Sequence, residues 1–515
     1  MHKDLLRSTA AAFVFAASLA TGTAYAAGTL TLTLPAMPTG YPIVASAGLA
    51  DIIAGNVIGE GLTRWKKDTL EVEPALATEW QANEDASVWT FTLREGVKWH
   101  DGEPFTAEDV KFTFDLIMNE DIRSATKGQV STLTGVEIVS PNEVKLTFSS
   151  PNAALPLMLA YRMPIVPKHV LEGQDLNQPA NFIAKPIGTG PFKFADAASG
   201  QYWATERNPD WWGGDVTLDE VVFNIMPDAN AAVAQLRAGN ADMALVRPQQ
   251  ISALQGGDIE ISAVDQPSVY YVALLNNKAP FEDVKVRQAF NYAVDKEGII
   301  KAVVDGYATV ASGMIAPSIE GYSDQVTKYP YDPAKAKALL NEAGWTEEGG
   351  KMTKDGQPMK VELTTSTGVI GGPQLAQIIQ GQLGAIGVEA SINMVDFRDL
   401  WTGVFNGTLQ TSVEYLNLQP SADITNALSC GGSQNRFAYC DAELDEMFAA
   451  ASALSEPGAR AAKYAEIQAR IGDNPPGIWL YFPQEIRAIN TRVQGFPKNP
   501  VRMATTHLFD VTVED

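Results

Sequence analysis

Residues 88–118, VWTFTLREGVKWHDGEPFTAEDVKFTFDLIM, admit few arrangements, because the period of their apolar residues changes partway through the run. From 88 to 93 the pattern alternates, with Trp89, Phe91 and Leu93 on one face and Val88, Thr90 and Thr92 on the other, as in a half-buried strand. Arg94-Glu95-Gly96 is a turn and a second short strand is expected around 97–99. Asp101-Gly102 then turns the chain again, at a pair that tolerates positive φ. Thr106 stands three residues before Asp109, a weaker form of the capping box, ahead of a helix with Val110, Phe114, Ile117 and Met118 on one face. Strand, turn, strand, turn and capped helix follow one another in a mixed α/β unit.

At 515 residues the chain exceeds a single ordinary core, so two or three lobes are expected. Residues 1–26 carry Lys3 and Arg7, an apolar run over 10–20 and the small-x-small site Ala24-Tyr25-Ala26. This reads as a secretory signal peptide cut near Ala26, with an apolar run too short to span a membrane. No cysteine near the cut offers a lipid anchor, so the mature protein is expected free in the periplasm. The formal net charge is −23; the leader takes Lys3, Arg7 and Asp4 with it, a net +1, leaving −24. Such a surface repels phosphate backbones and anionic lipid, which makes nucleic acid and membrane surfaces poor partners. The cysteines, Cys430 and Cys440, would meet an oxidising compartment. A structural disulfide closing CGGSQNRFAYC is the favoured reading over a redox pair, whose thiols need closer spacing.

Along the chain, TLTLTL at 29–34 is the first strand, a Gly/Pro/Ala-rich loop covers 35–48, and a helical pattern covers 49–62. PIGTGPFKF at 186–194 has the glycines of a phosphate loop but lacks the Lys-Ser or Lys-Thr pair and the following helix, so it is a turn feeding a strand. Residues 351–365 form a hairpin with Asp355-Gly356 at its tip. An amphipathic helix over 373–386 presents Leu375, Ile378, Ile379, Leu383 and Ile386, and a strand follows over 389–395. Helices around 442–453 and 459–471 and a strand at 477–482 close an α/β alternation that runs from about 275 to 480, the mark of a second α/β lobe. No internal repeat or long linker divides the chain.

Catalytic and metal chemistry find little support. His2, His100, His169 and His507 are scattered, and no HExxH, paired CxxC or His/carboxylate cluster appears, so no metal or other cofactor is expected. Ser433 in GGSQN fails the nucleophile elbow at its last position. A secreted hydrolase with an unrecognised carboxylate pair remains an alternative, since sequence alone cannot bring two carboxylates to a working spacing.

The run 88–118, together with Glu60-Gly61-Leu62 and PALATEW at 74–80, resembles the signature region of the peptide and nickel class of extracytoplasmic solute-binding proteins, the receptors of ABC importers. RNPDWWGGDVTLDEVVF at 207–223, YYVALLNNKAPFEDVKVRQAFNYAVDKEGIIK at 270–301 and YDPAKAKALLNEAGW at 331–345 extend the resemblance over nearly the whole mature chain. It implies a two-lobed, hinge-closing α/β fold of the type II-like periplasmic binding protein class, with an extra strand-rich subdomain in the first lobe. The expected layout is lobe I from 27–65, 186–273 and 485–515, the subdomain from 66–185, and lobe II from 274–484. It further implies a non-catalytic monomer that closes on a peptide or small solute and delivers it to inner-membrane permease subunits; a related reading hands the closed form to a chemoreceptor.

Within that class, ALSCGGSQNRFAYC at 427–440 resembles the dipeptide receptors, including Asn435 between the two cysteines. Counting from these landmarks, the acidic residue that receives the peptide amine falls at Leu416, its neighbouring tryptophan at Val413, and the arginine that receives the carboxylate at Ser366. A buried terminus left without its partner costs on the order of 2–5 kcal/mol, so a dipeptide held by both termini is disfavoured unless Glu414, Arg398 or another charge replaces them. A longer peptide held through its backbone, or a neutral, sugar-derived or opine-like solute, loses less. The candidate contacts are Gly48 and Leu49 from the first loop, Ser366, Arg398 and Trp401, and Glu414, Tyr415 and Asn417 before the disulfide. Trp401 and Tyr415 have a core reading beside the ligand reading, and Glu414 reads first as a solvated edge charge, as exposed acids usually are.

Overall fold

The computed structural model describes residues 28–44, 48–124, 126–160, 163–418, 421–454, 456–501 and 505–514; the expected signal peptide lies outside them. Two lobes share one sheet, which has twelve strands among the described residues. On the first-lobe side, Thr29–Leu34 lies parallel to Glu220–Ile225 and beside Met243–Val246. The expected first strand is in place, and all six residues of TLTLTL are buried, threonines included, because the strand is central in the sheet. On the second-lobe side, Lys360–Thr365 runs parallel to Glu389–Met394 and Thr411–Asn417.

The sheet is continuous because two stretches of chain cross it. Gly477–Asn490 pairs with Ser268–Leu274 through its first half and with Ile259–Asp265 and Met243–Val246 through its second. The sequence predicts a strand ending at Phe482, since Pro483 lacks a ladder donor. The strand instead runs on to Asn490, because its partner changes at that point. The Pro483 carbonyl accepts the Gln266 N–H at 3.0 Å, and the Gln484 amide donates to Asp265 Oδ1 at 2.9 Å. The crossing on the other stretch falls at Gln266-Pro267; Ser268–Leu274, expected to close lobe I, pairs with second-lobe strands Thr411–Asn417 and Gly477–Asn490.

The signature run builds a separate four-stranded antiparallel sheet from Ala77–Ala82, Val88–Leu93, Glu143–Phe148 and Leu133–Ser140. Trp89, Phe91 and Leu93 are buried as their alternation predicts. The expected strand at 97–99 is reduced to a single bridge between Lys98 and Pro104, with Val97 and Trp99 buried beneath it. Asp109 anchors the start of helix Ala107–Met118, accepting the Thr106 N–H at 2.9 Å and the Lys168 N–H at 3.0 Å. Helix Leu49–Ile58 stops earlier than predicted, at Gly59, where a Cβ would lie 2.8 Å from Pro164 Cβ and 2.2 Å from the Tyr41 hydroxyl.

Three signature segments meet where this subdomain joins the first lobe. Glu60, its side chain 8% exposed, accepts Trp212 Nε1–H at 2.5 Å and Trp211 Nε1–H and the Thr189 hydroxyl at 3.3 Å. Burial pushes its carboxyl up to about 7, against the pull of Arg64 and the three hydrogen bonds. Beside it His100 spans the 186–194 turn: its backbone N–H reaches the Gly188 carbonyl at 2.9 Å, Nε2 the Gly190 carbonyl at 3.0 Å, and Nδ1 accepts the Gly188 N–H at 3.2 Å. These contacts assign the neutral Nε2–H tautomer, and burial holds the imidazole down at about 4.

Between about 6.5 and 4 the unfolded chain protonates His100 and the folded one does not, so this contribution to stability is complete above 6.5 and lost as pH falls. Glu60 works in the opposite sense, its contribution complete below the ordinary carboxylate value and lost as pH rises through about 7. Urea unfolding of His100→Asn from pH 7 to 4.5 is expected to decline less steeply than wild type, by on the order of 2 kcal/mol over the window. Parallel pH profiles would discard this account of His100.

Candidate functional site

The second-lobe candidates gather around a residue that the sequence reading passed over. Cys430 and Cys440 are bonded, with a sequence separation of 10. Inside their loop Asn435 donates to the Ser429 carbonyl at 2.9 Å and the Tyr439 carbonyl at 2.6 Å, and accepts the N–H groups of Phe437 and Tyr439. So pinned, the loop directs Arg436 into the lobe. Its Nη1 donates at 3.0 Å to both Glu414 Oε2 and the Tyr271 hydroxyl, and its guanidinium lies 4.2 Å from the Trp401 ring centroid.

Glu414 is therefore neither an edge charge nor an open cleft carboxylate; it is fully buried and already has a cation. Strand alternation puts Ser412 and Glu414 on one face of Thr411–Asn417, where the Ser412 hydroxyl donates to Glu414 Oε1 at 2.5 Å. Burial drives the Glu414 carboxyl above its ordinary range, opposed by Arg436, Ser412 and Tyr271; burial and the neighbouring carboxylate likewise raise the Tyr271 phenol. For Arg436 desolvation works against the charge, but Tyr271 and Glu414 outweigh it and the guanidinium is held above its usual value. Its Nε is buried without a hydrogen-bond partner, facing no acceptor while the plane of the group rests on Trp401. The signal that could have found Arg436 is its charge next to Asn435 in an otherwise neutral loop.

The remaining candidates divide between three places. Ser366 ends strand Lys360–Thr365, is 1% exposed, and accepts the Gly368 N–H at 3.2 Å. Gly368 is required there, since a Cβ would stand 2.6 Å from the ring of Phe397. Phe397 opens helix Phe397–Phe405, on which Arg398 is exposed and Trp401 half-buried, while Leu400 and Val404 pack into the lobe. Tyr415 stacks on Tyr270 with centroids 5.5 Å apart, and the Asn417 side chain accepts the Ser268 hydroxyl at 2.8 Å; both line the crossing strand. Gly48 and Leu49 belong to the first lobe. Gly48 donates its N–H to Asp51 Oδ2 at 2.8 Å, and Asp51 Oδ1 takes the N–H groups of Thr39 and Gly40, drawing the loop onto helix Leu49–Ile58. Trp401 and Glu414 are thus brought together through Arg436, and the turn that Ser366 opens packs at Gly368 against Phe397 of the Trp401 helix; Gly48 and Leu49 lie in the opposite lobe.

The two positions expected from the resemblance to match terminal charges, Leu416 and Ser366, carry no charge, and the expected tryptophan position is Val413. Val413 is buried in the apolar core, Leu416 packs against a second apolar cluster, and Ser366 spends its hydroxyl on Gly368. Among the described residues, no group of His, Cys, Asp and Glu is arranged to hold a metal ion, and no helix is long and apolar enough to cross a membrane.

Residues 71–436 match the family described as bacterial extracellular solute-binding proteins, family 5 middle. The chain is 30% identical over 496 residues to heme-binding protein A of Haemophilus influenzae, across 90% of this chain and 88% of that protein. It is 29% identical over 484 residues to the oligopeptide-binding protein AppA of Bacillus subtilis, with the same coverages. Among solved structures, AppA in complex with a nonapeptide superposes with a TM-score of 0.76 at 27% identity, over 95% of this chain and 99% of that one. HbpA2 from Haemophilus parasuis gives 0.84 at 26% identity, over 95% and 100%.

Proposed function

This chain belongs to the family 5 bacterial extracellular solute-binding proteins, the substrate-binding subunits of ABC importers, and from that membership we propose that it captures an extended peptide between its lobes in the periplasm. The peptide is held by backbone hydrogen bonds in preference to its terminal charges, and is passed unaltered to the membrane permease. The observation that carries this reading is the uncharged pair Leu416 and Ser366, the first committed to packing and the second to a local hydrogen bond. An extended ligand pairs like an added strand and tolerates their neutrality, whereas a free dipeptide would leave an ammonium and a carboxylate unpaired. AppA, similar along most of the chain, accommodates a nonapeptide. Only a solute touching both lobes favours the closed arrangement over the open one, so binding and closure are a single equilibrium.

Thermal unfolding with a pool of short peptides, followed by recovery of the bound fraction by mass spectrometry, tests this directly. A captured peptide at about 100 times its dissociation constant should add about 2.7 kcal/mol, and it should be recovered intact. Cleaved peptide would replace the receptor with a hydrolase. A shift produced by dipeptides and not by longer peptides would reverse the ligand class.

A further inference from the structure

The lobes also meet away from the crossing strands, where the strand-rich subdomain faces the helical side of the second lobe. Arg460, in the first turn of helix Pro457–Asp473, directs Nη1 to the Ala153 carbonyl at 3.1 Å, across 307 residues of sequence. Its Nη2 stands 3.6 Å from Glu320 Oε1, and Nη1 also lies 3.4 Å from the Leu454 carbonyl. The Arg460 side chain is only 12% exposed, while its partner Glu320 is 47% exposed. Around it, Leu157 of the subdomain looks across a gap of about water size at Ser421, Ala422, Ala461 and Tyr464. Leu157 is no loose residue: it packs with Trp65 and Val501 in the first lobe.

We propose that Arg460 is a positioning residue for closure, a latch whose bond to the Ala153 carbonyl is made when the lobes come together and broken when they part. The partner is a main-chain oxygen in the subdomain, while Glu320 and Leu454 hold the guanidinium from within the second lobe, so the cation is aimed in advance. Rotation about the crossings at Gln266-Pro267 and Pro483 leaves each lobe internally intact and must separate Arg460 from Ala153. A hydrogen bond from a charged group is among the stronger neutral-to-ion contacts, so its loss should shift the closed-to-open ratio roughly tenfold. The inference goes beyond the proposed ligand class, since it holds whatever solute is bound.

Small-angle scattering of the purified full-length protein, without added solute, reads the lobe separation. Arg460→Ala is expected to raise the radius of gyration by on the order of 1 Å on a base of roughly 23 Å, with Arg460→Lys in between. Ala461→Trp, a wedge placed in the same gap, should open the lobes as far or further. Scattering of Arg460→Ala that superimposes on wild type overturns the proposal, whether or not the wedge opens the protein. So does a lowered melting temperature with unchanged dimensions, which would reduce Arg460 to a static tie between the two surfaces. Should Arg460→Ala fail to fold, Glu320→Gln loosens the same guanidinium from its own lobe; a smaller opening supports the latch and no opening overturns it.

Discussion

Arg436→Met is expected to destabilise the fold by about 3–5 kcal/mol, because it strands the Glu414 carboxylate in a site with no exposure to water. The methionine fills much of the same volume and keeps a contact with Trp401, so the loss reads the charge more than a cavity. Glu414 would then rise further above its ordinary range, and the variant should recover part of its deficit relative to wild type as pH falls from 7 towards 5, the gap between the two narrowing over that window. The double variant Glu414→Met, Arg436→Met should cost less than the sum of the single changes, with a coupling of about 2 kcal/mol or more by urea unfolding. Additive losses would mean the two charges do not act as a pair. The same geometry changes what Glu414 can be asked to do, since a carboxylate that already holds a guanidinium is a poor receptor for a cationic solute.

A second large effect is expected at Gly188. A Cβ there would stand 2.1 Å from the Ile58 carbonyl oxygen and 2.6 Å from its carbon, and at Gly190 another would meet the same oxygen at 2.6 Å. Backbone cannot retreat as a flexible side chain can, and the Gly190 N–H donates to that very oxygen at 2.8 Å. Gly188→Ala should therefore cost about 3 kcal/mol or more by denaturant unfolding, at or above the usual range for overpacking. Gly135→Ala, where nothing lies within 4 Å of the added carbon, is the matched control and should change stability little. Equal midpoints for the two variants would show that the joint can spread without cost.

What the sequence made legible were the features carried by local period and turn chemistry. The alternation at Trp89, Phe91 and Leu93, the acid three residues after Thr106, and the Asp355-Gly356 turn, with both residues at positive φ, all appear in place. What it hid were relations between distant residues. Nothing around Glu414 announces that its countercharge waits at Arg436 in a disulfide loop, so the acid reads as a free charge. Pro483 reads as a strand end because a proline interrupts a ladder, and only a change of partner sheet lets the strand continue past it. The resemblance segments Glu60-Gly61-Leu62 and RNPDWW, and the PIGTGPF turn between them, are recognisable in sequence without revealing that they meet. Their glycines, Thr189, Trp211 and Trp212 converge on one joint between subdomain and lobe, which explains their form without involving a solute.

The strand Gly477–Asn490 lies near the centre of the shared sheet but near the end of the chain. During synthesis neither lobe can complete its sheet until that stretch has emerged, however long Thr29–Leu34 and Ser268–Leu274 have been available to pair. Early segments are left with an unfilled place that premature compaction cannot supply. For the exported receptor proposed above, the shared sheet becomes continuous only once this late stretch takes its place between Met243–Val246 and Ser268–Leu274.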